Sequence, residues 1–119
     1  MKIAITASSN SLSGELNKTF GRAPGFLIYD TDTQTHEFID NQQNIQAAQG
    51  AGIQSAQNII ATGAQCLISG QCGPKALRVL LSAGIKIYSG EATTIKENID
   101  LFNQGLLQET QGQTNRSVR

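Results

Sequence analysis

The chain has 119 residues, the size of one ordinary domain and too short for two, and it carries nine Lys and Arg against nine Asp and Glu. Charged residues make up 15%, well under the roughly 25% usual in globular proteins, while thirteen Gln and eight Asn supply polarity without a field. That balance excludes the basic footprint of nucleic-acid binding and steering by net charge. A run from Lys2 to Ala7, β-branched and apolar, reads as the first strand, and Ser8 to Gly14 is a Ser/Asn/Gly loop that cannot continue it. A second strand is expected at Phe26 to Asp30 and a third at His36 to Asp40. The short turn between them demands an antiparallel hairpin, because a parallel return needs a dozen residues or more.

After an amide-rich connector from Asn41 to Gln49, the apolar period changes. Ile53, Ala56, Ile59 and Ile60 recur at helical spacing over Gly52 to Thr62, with Gly63 placed for a left-handed cap. Cys66 to Ser69 reads as a fourth strand. Gly70-Gln-Cys-Gly-Pro74 turns it into a second helix with Pro74 at the first position, burying Ala76, Leu77, Leu80 and Leu81 and ending at Gly84. A fifth strand follows at Ile85 to Tyr88. Thr94-Ile-Lys-Glu97 is a capping box that opens a third helix, expected to bury Ile95, Ile99 and Phe102 before Gly105 closes it. The alternation of strands and helices predicts parallel pairing in the second half, and the hairpin predicts one antiparallel strand. The expected fold is therefore a single α/β domain over residues 1–107, built on a five-stranded mixed sheet. Residues 108–119 hold one apolar side chain, Val118, and read as a polar, flexible tail.

No run approaches the roughly 20 apolar residues of a membrane span and no signal-peptide core precedes the first strand, so a cytoplasmic protein is expected. Cys66 and Cys72 are too few for a disulfide framework and lack CxxC spacing, so reduced thiols are the expectation. Open α/β sheets bind ligands at the carboxyl ends of their parallel strands, which directs attention to the Ser8 to Gly14 loop, with Ser8, Ser9 and Asn10, and to the Ser69 to Gly73 loop, with Gly70, Gln71, Cys72 and Gly73. The second of these loops feeds a helix N-terminus, where free N–H groups and the dipole favour an anion. Its glycines would let backbone approach a ligand, or would simply make a tight turn.

Cys72 near that helix start is placed for a lowered thiol pKa and is a candidate metal ligand; the other reading is a small residue that fits the turn. Cys66, at the start of a core strand, is expected to be buried and inert. Arg22, between Gly21 and Ala23-Pro24, is a candidate anion clamp or a solvated surface residue. Gly50-Ala-Gly-Ile-Gln-Ser55 fits the dinucleotide fingerprint poorly, since it follows a connector and has Ser in the third position. The lone His36 supports neither a triad nor a metal cluster. A first strand without Asp or Glu argues against two-metal phosphodiester cleavage. From the residues alone, the chain reads as a small α/β binder of an anionic ligand.

The ordered set Phe20-Gly-Arg-Ala-Pro24, Phe26-Leu-Ile-Tyr-Asp30, Asn41, Gly50 to Gln57, Ile68-Ser-Gly-Gln-Cys-Gly-Pro74 and Ala83-Gly-Ile-Lys-Ile-Tyr88 resembles the dinitrogenase iron-molybdenum cofactor biosynthesis family of the NifX and NafY type. The resemblance runs from Met1 to about Leu107. It implies a ribonuclease-H-like fold with helices on both faces of the sheet. It also implies a non-enzymatic carrier or scaffold for an iron-sulfur or molybdenum-containing metal-sulfur cluster, whose partners are cluster assembly or acceptor proteins. The family's glycine-rich loop matches Gly70, Gly73 and Pro74. The chain departs from the pattern at Gly25, where members commonly carry an aromatic, and at Cys72, where a non-thiol residue is frequent. A second reading of the same features is an interaction module that docks an assembly partner without holding a cluster.

Overall fold

Strand β1, Lys2–Ala7, is apolar on both sides because it lies mid-sheet with helices above and below: Ile3, Ala4, Ile5, Thr6 and Ala7 are all buried. The computed structural model describes residues 1–17, 20, 23–41, 51–91 and 93–110. Strands β2, Gly25–Asp30, and β3, Thr35–Asp40, form the expected hairpin, with Leu27 opposite both Ile5 and Phe38. Helix α1, Ala51–Ala61, leads to β4, Cys66–Ser69, which pairs parallel with β1. Helix α2, Pro74–Ser82, leads to β5, Lys86–Ser89, parallel with β4, and helix α3, Ile95–Asn103, leads to β6, Glu109–Thr110. The strand order is β3-β2-β1-β4-β5-β6.

The sheet therefore has six strands rather than the expected five, and two of them, β2 and β6, run opposite to the other four. The extra strand falls where composition indicates a tail beginning at Gln108. Two polar residues carry no strand pattern. They are recruited by the open backbone of β5, whose Ser89 N–H donates to the Gln108 carbonyl at 2.9 Å.

Side chains alternate across the sheet to build two cores. Ala4, Phe26, Ile28, Leu67 and Ile87 face α1 and α2, where Ala56, Ile59, Ala76 and Leu80 meet them. Ile3, Ile5, Ala7, Leu27, Cys66 and Ile68 face α3, which contributes Ile95 and Ile99, and Phe102 packs edge-on against Tyr88 with ring centroids 5.1 Å apart. The stripe on α2 is narrower than expected: Leu77 is half-buried and Leu81 is exposed, because the helix meets the sheet chiefly along Ala76 and Leu80. Gly63, Gly84 and Gly105 take φ of 81°, 83° and 73°, the left-handed conformation expected where each helix ends. Gly25 has a different cause. A Cβ there would run into the Phe38 ring and lie 2.5 Å from the Ile39 carbonyl, so Phe38 fills the space that an aromatic at position 25 would take.

One buried polar cluster ties the hairpin to α1. Asn41 Nδ2 donates to the Ala23 carbonyl at 3.0 Å, and its Oδ1 accepts from Ser55 Oγ at 3.1 Å, all without solvent exposure. Removing the amide would leave a buried carbonyl and a buried hydroxyl without those bonds. Asn41→Ala is expected to lower stability by about 2–4 kcal/mol in denaturant unfolding; a change below about 0.5 kcal/mol would show that the cluster holds nothing together.

Candidate functional site

Strands β1, β4 and β5 point the same way, so each crossover returns to one edge of the sheet and all three helices begin there. Ser69 pairs with Ser89, and Thr6 follows Ile5, which pairs with Ile68. Thr6, Ser69 and Ser89 thus form a row at the carboxyl edge. Each lies two residues beyond a side chain of the α1/α2 core, Ala4, Leu67 or Ile87, and so faces the same helices. Thr6 donates to the Asn17 carbonyl at 2.9 Å, and Ser89 Oγ stands 3.5 Å from Thr110 Oγ1. Ser69 is 0% exposed and its Oγ meets no hydrogen-bond partner among the described residues.

The helix starts differ sharply. In α3 every first-turn amide is occupied: Ile95 and Lys96 donate to the carbonyls of Gly14 and Leu12, and Glu97 donates to Thr94 Oγ1. The Glu97 carboxylate accepts from the Thr94 amide in return, which holds its pKa below the usual carboxylate range. Helix α2 has no such closure. Its cap is Gly73, which has no side chain, and its first residue is Pro74, which has no N–H. Leu77 donates to the Gly73 carbonyl, but the amides of Lys75 and Ala76 meet no acceptor among the described residues.

Helix α1 starts alongside: a Cβ on Gly52 would sit 3.2 Å from Ala76 Cβ, so the first turns of the two helices touch. Neither first turn carries a carboxylate. Two helix N-termini, each worth roughly half a positive charge, are thereby brought together beside an unpaired hydroxyl. Gly73 has extended φ and ψ of −64° and 157°, and a Cβ on it would meet nothing within 4 Å. Neither strain nor crowding requires glycine there, and its effect is to leave the α2 amides uncapped.

The residues singled out in the sequence fall into two groups. Phe20 donates its amide to the Gln71 carbonyl at 2.9 Å, which brings Phe20 beside the Gly70 to Gly73 turn. Arg22 itself lies outside the described residues. The first loop divides: Ser8 Oγ donates to Asn17 Oδ1 at 3.0 Å and Ser9 is exposed. Asn10 instead turns to His36, with Oδ1 2.6 Å from Nδ1, while Leu12 packs into the α3 core. No hydrogen bond among the described residues joins Asn10 to the turn.

Cys72 corrects an expectation. Packed against the α1/α2 core, its thiol is pushed up to about 11 by burial, the opposite direction from the lowering expected at a helix start. Cys66 is buried as expected, and desolvation raises its pKa too. Among the described residues no three His, Cys, Asp or Glu side chains converge to chelate a metal ion. Two depressions lie beside β3: one of about 340 Å³ sets Lys2 and His36 among Asp30 and Glu37, and one of about 380 Å³ is lined by Glu37 and Asp40, the wrong charge for an anion. Ser69 opens the Ser69 to Gly73 loop that the sequence marks, but its unpaired hydroxyl is not legible there; sequence reasoning missed the role of Gly52, which depends on a neighbouring helix.

Fold and site together define a small mixed-sheet α/β protein with an uncapped helix N-terminus at its carboxyl edge. Residues 1–105 match the family described as dinitrogenase iron-molybdenum cofactor, and the chain belongs to that family. It is 37% identical to the apo form of the orange protein from Desulfovibrio gigas, with a TM-score of 0.90 and 93% of each chain covered. A Thermotoga protein provisionally described as NifB, solved by NMR, is 34% identical with a TM-score of 0.81, over 96% of this chain and 98% of that one. An uncharacterized protein of Methanocaldococcus jannaschii is 34% identical over 111 residues, 91% of this chain and 90% of the relative.

The open cap makes a direct prediction. Gly73→Asp supplies an acceptor for the α2 amides and a charge that complements the dipole, so it is expected to stabilise the protein by about 0.5–1 kcal/mol in denaturant unfolding. A neutral or destabilising effect would mean those amides are already satisfied. In a Cys66→Ser background, alkylation of Cys72 by iodoacetamide is expected to be slow at about pH 8 and to rise towards the thiol's pKa of about 11. A rate that levels off by about pH 8 would contradict the burial argument.

Proposed function

We propose that the protein is a non-enzymatic carrier or scaffold for an anionic metal-sulfur cluster, handed between cluster assembly and acceptor proteins in the cytoplasm. The observation that carries this reading is the uncapped α2 N-terminus beside α1: backbone donors and dipoles directed at a place with no neutralising carboxylate. Membership of the dinitrogenase iron-molybdenum cofactor family and close similarity to a protein described in an apo form support it. A cluster that brings its own sulfides needs few protein ligands. Backbone amides suit it, because sulfide accepts hydrogen bonds and the cargo's charge is delocalised over many acceptors. No helix among the described residues is long and apolar enough to cross a membrane.

In this reading the cargo is held by the Gly70, Gln71, Cys72 and Gly73 turn, with Ser8, Ser9 and Arg22 as its further candidate contacts. Cys72 is the thiol that joins a metal, which must displace a proton that burial holds tightly. Asn10 belongs to the same loop and acts through it, since its side chain is engaged by His36.

Anaerobic reconstitution with iron, molybdate and sulfide, followed by visible spectroscopy and metal analysis, tests the reading. A chromophore with stoichiometric metal is expected, together with shifted bands and lower metal content in Cys72→Ser. Failure to retain a stoichiometric chromophore under any combination of the three would overturn it.

A further inference from the structure

A hydroxyl with no partner in a protein interior forfeits the hydrogen bonds it made to water, so it calls for an explanation. Ser69 Oγ is the one buried side-chain oxygen or nitrogen in this position among the described residues, and its place is specific. Ser69 ends β4 and pairs with Ser89, its backbone carbonyl accepts from Gly90, and its side chain faces α1 and α2. Four residues later comes Gly73, the cap that leaves the Lys75 and Ala76 amides open. An unpaired donor and two unpaired amides thus lie at either end of one short turn. By contrast, Thr6, in the same row, spends its hydroxyl on Asn17.

We propose that Ser69 is the buried donor of the cargo crevice: its hydroxyl and the first-turn amides of α2 grip one inorganic acceptor atom, a sulfide or oxo group, of a compact doubly charged anion. The inference rests on the carrier reading and makes it specific, since it assigns a buried hydroxyl contact that the turn from Gly70 to Gly73 does not provide. Ser69 is fully buried, so the cargo reaches it once the turn from Gly70 to Gly73 opens; Gly73, with nothing within 4 Å of a Cβ, leaves room for that movement. The hydroxyl also selects for acceptor atoms: an anion held by charge alone would gain nothing from it.

The test compares wild type with Ser69→Ala using tetrathiomolybdate, which presents only sulfides, and molybdate, which presents only oxo groups. Apo melting and titration calorimetry are run on both proteins. Removing an unpaired hydroxyl is expected to raise the apo Tm by about 4 °C and to weaken binding about tenfold. Weaker binding of either anion supports the assignment and names the accepting atom. Unchanged affinity for both, or a lower apo Tm, overturns it while leaving the carrier reading intact. If wild type binds neither anion the assignment falls, and if it also fails to retain a reconstituted cluster the carrier reading falls with it.

Discussion

Parallel strands impose a direction on everything attached to them. Each crossover from one parallel strand to the next must bring its helix back to the same edge, so the positive ends of α1, α2 and α3 all gather where β1, β4 and β5 finish. What the chain does with each end is then a choice of side chains. It closes α3 with Thr94, Glu97 and two carbonyls from the first loop, and it leaves α2 open beneath Gly73. Gly52 lets α1 approach until its first turn touches that of α2. The site is therefore less a set of functional side chains than a place where capping has been withheld.

The charge balance acquires a meaning from this. Nine cationic and nine anionic side chains give no net attraction to an anion, and the first turns of α1 and α2 contain no Asp or Glu to oppose one. Attraction by helix termini is short-ranged, falling off within the first turn, so it acts on a ligand already seated rather than steering one from afar. That suits cargo passed between proteins in contact better than a substrate captured from dilute solution. The two depressions beside β3, one mixed in charge and one lined by Glu37 and Asp40, involve no residue of α2 or of the turn before it.

Local signals made much of the fold legible. Lys2–Ala7 and Cys66–Ser69 follow from apolar runs, α3 from the Thr94 to Glu97 box, and the helix ends from Gly63, Gly84 and Gly105, because each depends on residues within a turn of itself. Where the outcome depends on a distant neighbour, the sequence is silent. Glu109 and Thr110 become a strand only because β5 offers an edge, and Leu81 is exposed only because α2 meets the sheet along a narrow line. Cys72 shows the same limit at the site. Its position in the turn was visible, but the core packing that raises its pKa was not. Asn10 was expected with the turn, yet His36 draws it towards the other face through a contact 26 residues away in sequence.

The central claim is that the cargo is held by backbone amides at the start of α2. Titration of the isotopically labelled apo protein with tetrathiomolybdate, followed amide by amide in nitrogen-15 correlation spectra, tests it most directly. The account predicts the largest shifts at Lys75 and Ala76, with smaller ones from Gly70 to Gly73 and at Gly52. Shifts concentrated on Asn10 to Gly14 and the start of α3, with Lys75 and Ala76 unmoved, would contradict it.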